Sequence, residues 1–264
     1  VLTTRCRSQP LATVAIGAQS SAEVGPRPRC PQAMVRQHTV ERYRGADIPV
    51  PRLSAVLAQA LEGYEPWRVC FGDHAGSTCS AWLLEHLVGR MAHRDATAYT
   101  VPVHCDGDVV GSMAVAFLVK CGAAAPPSSQ TLGEQLRMLW QLGPRIALRM
   151  RAFNQAVEAM HQEDAASAGE HFMISLLGVL PHMQGRGLAR LILRAMLADA
   201  DAAGLPVYLF TGNDRNEAMY ARLSFVKHSQ RSIGCLPGED GEPYEVTMRG
   251  MLRPAAPRSE EGHV

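Results

Sequence analysis

Apolar residues along the chain form short runs typical of buried strands and recur elsewhere at the three-to-four-residue spacing of helices. Both patterns are clearest between Gly178 and Gly204. A short apolar stretch there ends at Pro181, as a buried strand does, and a loop with two glycines follows it. From Leu188 onward, apolar residues recur at spacings of three and four, which places them on one face of a helix. The segment therefore predicts a strand, a tight loop and an amphipathic helix that ends at Gly204.

The same two patterns predict further elements on both sides of this segment. The predicted strands cover residues 37–43, 98–104, 109–118, 171–180, 206–210, 224–229 and 244–250. The other predicted helices cover residues 52–62, 80–91, 132–162 and 216–223. Gly143-Pro144 is expected to divide the helix over 132–162 into two. Asp106-Gly107 predicts a hairpin turn between two of the strands.

The distribution of these patterns predicts one folded domain with two unstructured ends. Residues 1–33 show little periodicity and are rich in proline, arginine and serine, which predicts a disordered leader, or sequence upstream of a start at Met34. Residues 34–253 form the predicted domain, and residues 131–162 are a helical insertion within it. Residues 254–264 predict a disordered polar tail.

Composition narrows the class of protein. The chain has 264 residues, of which 47% are hydrophobic, and this is enough for one sizeable core. A formal net charge of +1 gives no sign of a nucleic-acid partner, and no apolar run is long enough to predict a membrane span. The 7 cysteines are scattered without metal-ligand spacing, which predicts reduced thiols in a cytoplasmic protein and no bound metal.

The charges on the predicted helix after the loop run against its dipole. Its start carries Arg186, Arg190 and Arg194, whereas Asp199 and Asp201 lie near its end. Each such charge costs about 0.3–1 kcal/mol on an isolated helix. A polyanion bound at the helix N-terminus would reverse the sign for the arginines, because free backbone N–H groups and nearby cations both favour phosphate. The segment therefore predicts a phosphate-binding site.

Two common phosphate loops do not fit this segment. No Gly-Lys-Ser/Thr follows the glycines, as a P-loop requires, and the third glycine of a dinucleotide fingerprint is missing. Gln184-Gly-Arg-Gly187-Leu-Ala189 instead resembles the loop that binds the pyrophosphate of acetyl-CoA in the GNAT N-acetyltransferase superfamily.

A second segment extends this resemblance. In the same superfamily, an asparagine and a tyrosine on a short helix precede a Leu-Gly-Phe turn. Asn216 and Tyr220 stand at the matching positions here, and the turn reads Leu223-Ser224-Phe225, with serine in place of glycine. If that turn requires a positive φ, serine costs about 1 kcal/mol or more there.

The resemblance implies a fold and an activity. The implied fold is an α/β (α+β) three-layer structure, with a mixed, mostly antiparallel sheet flanked by helices and a V-shaped splay of two strands at the acetyl-CoA site. The implied activity is acetyl-CoA-dependent transfer of an acetyl group to a primary amine. Tyr220 would donate a proton to the departing sulfur. Asn216 would contact the cofactor or a water, or else cap its helix. The implied acetyl-CoA contacts are Leu177, Gly178, Val179, Gln184, Gly185, Arg186, Gly187, Leu188, Ala189, Arg190 and Asn216.

Several points stay open at this level. Glu170 and His171 begin the strand before the loop. Either could be the general base, and Glu170 is taken as the predicted one. The helices over 52–62 and 80–91, the second carrying Trp82 and His86, would flank the acceptor cleft.

The alternative function is a non-catalytic acyl-CoA-binding sensor or scaffold. The identity of the amine acceptor and the oligomeric state are not predicted.

Overall fold

The computed structural model describes residues 39–72, 78–92, 96–105, 108–122, 132–165, 168–234 and 245–256. The predicted leader over 1–33, the turn at Asp106-Gly107 and most of the predicted tail lie outside the described residues, so those predictions stay untested.

The described residues form seven strands and six helices, close to the predicted positions. The strands are β1 (Glu41–Arg44), β2 (Ala96–Cys105), β3 (Asp108–Cys121), β4 (His171–Val179), β5 (Val207–Thr211), β6 (Val226–Gly234) and β7 (Glu245–Arg253). The helices are α1 (Val50–Leu61), α2 (Glu65–Phe71), α3 (Thr78–Ala92), α4 (Leu132–Ala165), α5 (Leu188–Ala203) and α6 (Asp214–Ala221). The hydrophobic pattern did not predict α2, because a helix of 7 residues is too short to show an apolar stripe.

The strands pair into one sheet in the order β1-β2-β3-β4-β5-β7-β6. All neighbours are antiparallel except β4 and β5, which run parallel. These two strands pair only through Phe172 with Val207 and Met173 with Tyr208. Beyond that point their backbones separate, which confirms the predicted V-shaped splay in a mixed, mostly antiparallel sheet.

Alternation along the central strands produces three layers. In β3, the side chains of Val115 and Phe117 pack on one side of the sheet with α1, α3 and the middle of α4, from Leu142 to Met150. Ala116 and Leu118 face the other side, where they pack with α5. The sheet is therefore covered by helices on both faces, as the predicted fold class requires.

Helix α4 consists of two helices that meet at Gly143. Its φ of 77° and ψ of 160° interrupt the helix just before Pro144, which confirms the predicted break. The first half contacts α3, where the Arg137 guanidinium lies 5.8 Å from the centre of the Trp82 ring. The second half contributes Val157 and Met160 to a small core with β6 and β7. In the part of the chain that the structure describes, none of the helices is both long and apolar enough to cross a membrane.

Candidate active site

The splay between β4 and β5 opens toward the end of β4 that leads into the glycine loop. The register with β3 passes from Phe117–Leu176 to Leu118–Ile174, so Ser175 has no opposite residue and forms a bulge in β4. Beyond Met173, the backbone N–H groups of β4 that point away from β3 face the splay and do not pair with β5. They are therefore available to a ligand that enters between the two strands.

Gly178 lies in this part of β4, and the packing of a helix against the sheet requires glycine at this position. A Cβ on Gly178 would lie 2.8 Å from Cβ of Ala60 and 2.9 Å from Cδ2 of Leu57, both on α1. Glycine is therefore needed for α1 to pack closely on the sheet. The sequence could not reveal this, because the neighbours lie more than 100 residues away in the chain.

The loop after β4 leaves the N-terminus of α5 open. Gly185 and Gly187 have φ of 78° and 79°, a region that favours glycine, and Gly187 immediately precedes α5 without a side-chain cap. Leu191 N donates to Gly187 O at 3.0 Å as the first bond of the helix, so the N–H groups of the three preceding residues point out of it. Gln184 Nε2 donates to Val179 O at 3.3 Å and ties the loop back to the strand. The loop thus presents several backbone donors at one point.

The charges of α5 are balanced at one end only. Asp199 accepts from Arg42 Nε at 2.8 Å and from the hydroxyl of Tyr99 at 2.7 Å. Asp201 pairs with both terminal nitrogens of Arg253, at 2.6 and 2.9 Å. The two acids near the helix C-terminus therefore have partners from distant strands.

The arginines at the other end of α5 have no such partners. Arg186, Arg190 and Arg194 are exposed, and among the described residues no carboxylate pairs with them. Arg186 and Arg190 thus lie beside an uncapped helix N-terminus and Arg194 one turn further along α5, an arrangement that a phosphate group would stabilise.

Helix α6 places Tyr220 under the same open end of the sheet. Phe225 N donates to Tyr220 O at 3.2 Å and Ser224 N donates to Ala221 O at 3.1 Å, the two bonds of a Schellman motif. Ser224 has a φ of 67°, so the turn keeps a left-handed residue although serine replaces glycine. The Tyr220 ring packs edge-on against Phe225, 5.7 Å between ring centres.

Tyr220 is 6% exposed, and burial raises the pKa of its hydroxyl above the ordinary value, with a smaller contribution from Tyr64. The hydroxyl therefore stays protonated at neutral pH. Tyr64, which the sequence reading did not single out, accepts a hydrogen bond from Gly212 N at 3.2 Å. It lies just before α2, the helix that showed no periodic signal.

A hollow of about 350 Å³ opens where β5 ends and α6 begins. Its lining includes the carboxylates of Glu65 and Asp214 and the guanidinium of Arg249, which pairs with Asp214. Gly212, which donates to Tyr64, also lines it. The hollow thus lies close to the Tyr64 hydroxyl at the open end of the sheet.

The structure brings most of the sequence-predicted residues together at this end. Those in β4, the loop and the start of α5 are continuous there: Leu177, Gly178, Val179, Gln184, Gly185, Arg186, Gly187, Leu188, Ala189 and Arg190. The Leu188 side chain is 2% exposed in the core, which leaves only its backbone for a ligand. Asn216 is half-buried on α6, where its N–H donates to the Asn213 side chain, so Asn213 is the helix cap.

Glu170 and His171 do not join this group. Glu170 precedes β4 and lies about 26 Å from Gly178 along an extended strand, at the closed end of the splay. Its carboxylate is 60% exposed and pairs with Lys120 at 3.4 Å. This placement argues against Glu170 as the general base. A strand that leads into the loop must begin at the opposite end, so strand direction alone could have indicated this.

Trp82 and His86 stack on each other in α3, 5.4 Å between ring centres. Burial lowers the pKa of His86, with a further contribution from Arg90. Its Nε2 is buried and has no hydrogen-bond partner within the described part of the chain. Since Arg137 of α4 covers Trp82, these side chains pack between two helices.

Comparison with known proteins identifies the family. The model of the acetyltransferase (GNAT) family matches residues 61–225, more than half of the chain, and this range includes the splay, the loop and Tyr220. The chain belongs to the acetyltransferase (GNAT) family. This membership confirms both the resemblance seen in the sequence and the predicted enzyme class.

Solved structures of GNAT proteins share the fold at low sequence identity. Arylalkylamine N-acetyltransferase 2 from Aedes aegypti is 13% identical, with a TM-score of 0.55 over 83% of this chain and 100% of that one. The structure described as histone acetyltransferase HPA2 and related acetyltransferase, from Corynebacterium glutamicum, is 18% identical, with a TM-score of 0.52 over 84% and 99%. The polyamine N-acetyltransferase of Drosophila melanogaster is 13% identical, with a TM-score of 0.51 over 81% and 99%. A sequence search of curated proteins found no match.

Proposed function

We propose that this GNAT protein transfers the acetyl group of acetyl-CoA to a primary amine, which attacks the thioester directly. The observation that carries the proposal is the splay between β4 and β5, which leads into an uncapped helix N-terminus. Arg186 and Arg190 lie beside this terminus and form no ion pair with the carboxylates that the structure describes. The non-catalytic alternative, an acyl-CoA sensor, needs the same binding site but no proton donor.

The residues present fit the pyrophosphate of acetyl-CoA. Gly185 and Gly187 supply the left-handed backbone that turns the loop, and no atoms crowd the space above them. The first N–H groups of α5 would donate to the phosphate oxygens, and Arg186 and Arg190 would supply positive charge. The thioester would then extend along β4, where Leu177, Gly178 and Val179 offer their backbone.

The proposed chemistry needs a polarised carbonyl and a proton for the leaving sulfur. Unpaired N–H groups of β4 would donate to the carbonyl oxygen as negative charge develops on it. As the C–N bond forms and the C–S bond breaks, Tyr220 would donate its proton to the thiolate. Burial raises the pKa of this hydroxyl further above neutrality, so it enters the step protonated. The proton that the new amide nitrogen loses would return to the Tyr220 oxygen. Asn216, one turn before Tyr220, would contact the cofactor or an ordered water.

The proposal assigns no side chain as general base, because Glu170 lies at the other end of β4. A water that reaches the splay can take the ammonium proton before attack. The hollow beside Tyr64 is the proposed entrance for the acceptor. Arg249 neutralises Asp214 in its lining, whereas Glu65 forms no ion pair among the described residues and would attract a cationic amine. Which amine binds, and the expected cytoplasmic location, stay predictions.

Binding and product formation test the proposal together. We expect calorimetry to detect acetyl-CoA but neither ATP nor NAD at comparable affinity. Arg186→Gln and Arg190→Gln should each weaken binding about tenfold, the effect of about 1.4 kcal/mol. Arg151→Gln, a matched control at an exposed arginine of α4, should leave the affinity unchanged.

Mass spectrometry of an amine panel incubated with acetyl-CoA should reveal an acetylated amine. Tight acetyl-CoA binding with no product from any small amine or peptide would favour the sensor. Absence of acetyl-CoA binding would contradict both functions.

A further inference from the structure

Three side chains with metal-binding atoms converge at the closed end of the splay, away from the proposed acetyl-transfer site. Cys121 is the last residue of β3 and His171 is the first of β4, and the antiparallel register sets them directly opposite each other. His161 reaches them from the last turns of α4. The Sγ and imidazole nitrogens of the three residues all lie within 4.8 Å of one another.

The hydrogen bonds of His171 leave one nitrogen suited to a metal ion. Its Nδ1 lies 2.8 Å from Gly169 O, and since a carbonyl oxygen only accepts, Nδ1 carries the hydrogen. Nε2 therefore carries the lone pair, which accepts a hydrogen bond from Nε2 of His161 at 2.7 Å. A metal-binding histidine commonly donates its other N–H to a backbone carbonyl in this way. His171 is 4% exposed, so its orientation is fixed by burial as well.

His161 is held in place by contacts of its own. Its ring stacks on Tyr208 of β5, 4.9 Å between ring centres. One turn along α4, Asp164 accepts hydrogen bonds from the hydroxyls of Tyr208 and Ser229, at 3.0 and 2.6 Å. These bonds fix the end of α4 against the sheet. They also hold a carboxylate near the cluster, and its negative charge favours a bound cation.

The distances require only small side-chain movements for tetrahedral coordination. In tetrahedral zinc sites, Zn–N bonds are about 2.0–2.1 Å and Zn–S bonds about 2.3 Å long. Two nitrogen ligands are then about 3.3 Å apart, and a nitrogen and a sulfur ligand about 3.6 Å apart. The two imidazoles therefore have to move apart by about 0.6 Å, and the thiol has to approach by at most about 1.2 Å. Cys121 ends its strand, where χ1 rotation can supply such a movement.

We propose that Cys121, His161 and His171 bind a divalent transition-metal ion, zinc in the first place, with solvent as the fourth ligand. One thiolate and two imidazoles form a donor set that zinc prefers over magnesium or calcium. Binding releases the thiol proton of Cys121, and the His161 proton moves from Nε2 to Nδ1. The ion joins β3, β4 and α4, so it fixes the helical insertion to the sheet.

Cobalt(II) titration of the full chain, stripped of metal and free of tags, tests this directly. We expect one equivalent of Co²⁺ to bind, with a thiolate-to-cobalt charge-transfer band and the strong visible bands of a tetrahedral site, and Zn²⁺ to displace it. Cys121→Ser should lose the charge-transfer band and weaken Zn²⁺ binding at least about 100-fold. Cys79→Ser, a partly exposed thiol on α3, is the matched control and should change neither.

A wild-type titration without a thiolate band overturns the proposal whatever the variants do. A band that persists in Cys121→Ser assigns the ion to another cysteine and overturns it as well. His161→Asn provides the second test, because it keeps the thiol. Zn²⁺ should raise the Tm of the wild type but not that of His161→Asn, and an equal rise in both would contradict the assignment.

Discussion

Ser224 adopts a backbone conformation that favours glycine, and replacing it should stabilise the protein. Its φ of 67° makes it the one residue other than glycine with positive φ among those the structure describes. It lies in the turn that follows Tyr220, where Ser224 N and Phe225 N close the end of α6. Ser224→Gly keeps both bonds and removes only the side chain.

The size of the effect follows from two opposing terms. A residue with a Cβ in the left-handed region costs about 1–2 kcal/mol. Glycine loses more backbone freedom on folding, which costs roughly 0.5–1 kcal/mol. The centres of these two energy ranges differ by about 0.7 kcal/mol, in favour of glycine. In a domain of this size, that difference raises Tm by about 1.5–3 °C.

Urea unfolding and thermal scans of three proteins measure this effect. We expect Ser224→Gly to raise both midpoints, and Ser224→Ala, which removes the hydroxyl but keeps Cβ, to leave them nearly unchanged. If Ser224→Gly is destabilised, or if both variants shift equally, backbone strain at this turn is not the cause and the reasoning fails.

Three further predictions test other parts of the structure. Gly178→Ala should destabilise the fold by about 1–3 kcal/mol, because the new Cβ overlaps α1. Gly89→Ala should not destabilise it, because a Cβ there meets no described atom within 4 Å. Urea unfolding midpoints of the two variants measure the difference. Gly187→Ala should raise the KM for acetyl-CoA, because the φ of 79° at Gly187 shapes the loop. Gly45→Ala is the control: Gly45 also has a positive φ but lies far from the loop in sequence, so this change should lower Tm and leave KM unchanged. Burial raises the pKa of Tyr99, so the contribution of Tyr99 to folding stability should be constant below about pH 10 and fall above it by about 1.4 kcal/mol per pH unit. Above that pH, denaturant midpoints of Tyr99→Phe should therefore fall less steeply than those of the wild type, and an equal slope would contradict this.

Local signals in the sequence predicted the elements around the site. Gly185 and Gly187 mark a turn that only their positive φ allows, and Gly204 ends α5 at a φ of 67°. Strong apolar stripes predicted the long helices to within a few residues, and the break at Gly143 followed from its proline neighbour.

Features that depend on distant partners could not be predicted. Asp199 and Asp201 look unfavourable on an isolated helix, but Arg42 and Arg253 neutralise them from β1 and β7. The close packing of α1 on Gly178 depends on Leu57 and Ala60, which lie far from it in the sequence. The residues of the proposed metal site are separated by up to 50 positions, so no sequence spacing reveals them.

The most direct test of the central claim is the rate of CoA release from acetyl-CoA, with the best amine of a panel, for wild type and Tyr220→Phe. The account predicts amine-dependent release that falls about 10²–10⁴-fold in the variant, with unchanged acetyl-CoA affinity. An equal rate in both proteins would contradict the assignment of Tyr220 as proton donor. Binding of acetyl-CoA without release for any amine or peptide would contradict the proposed catalysis.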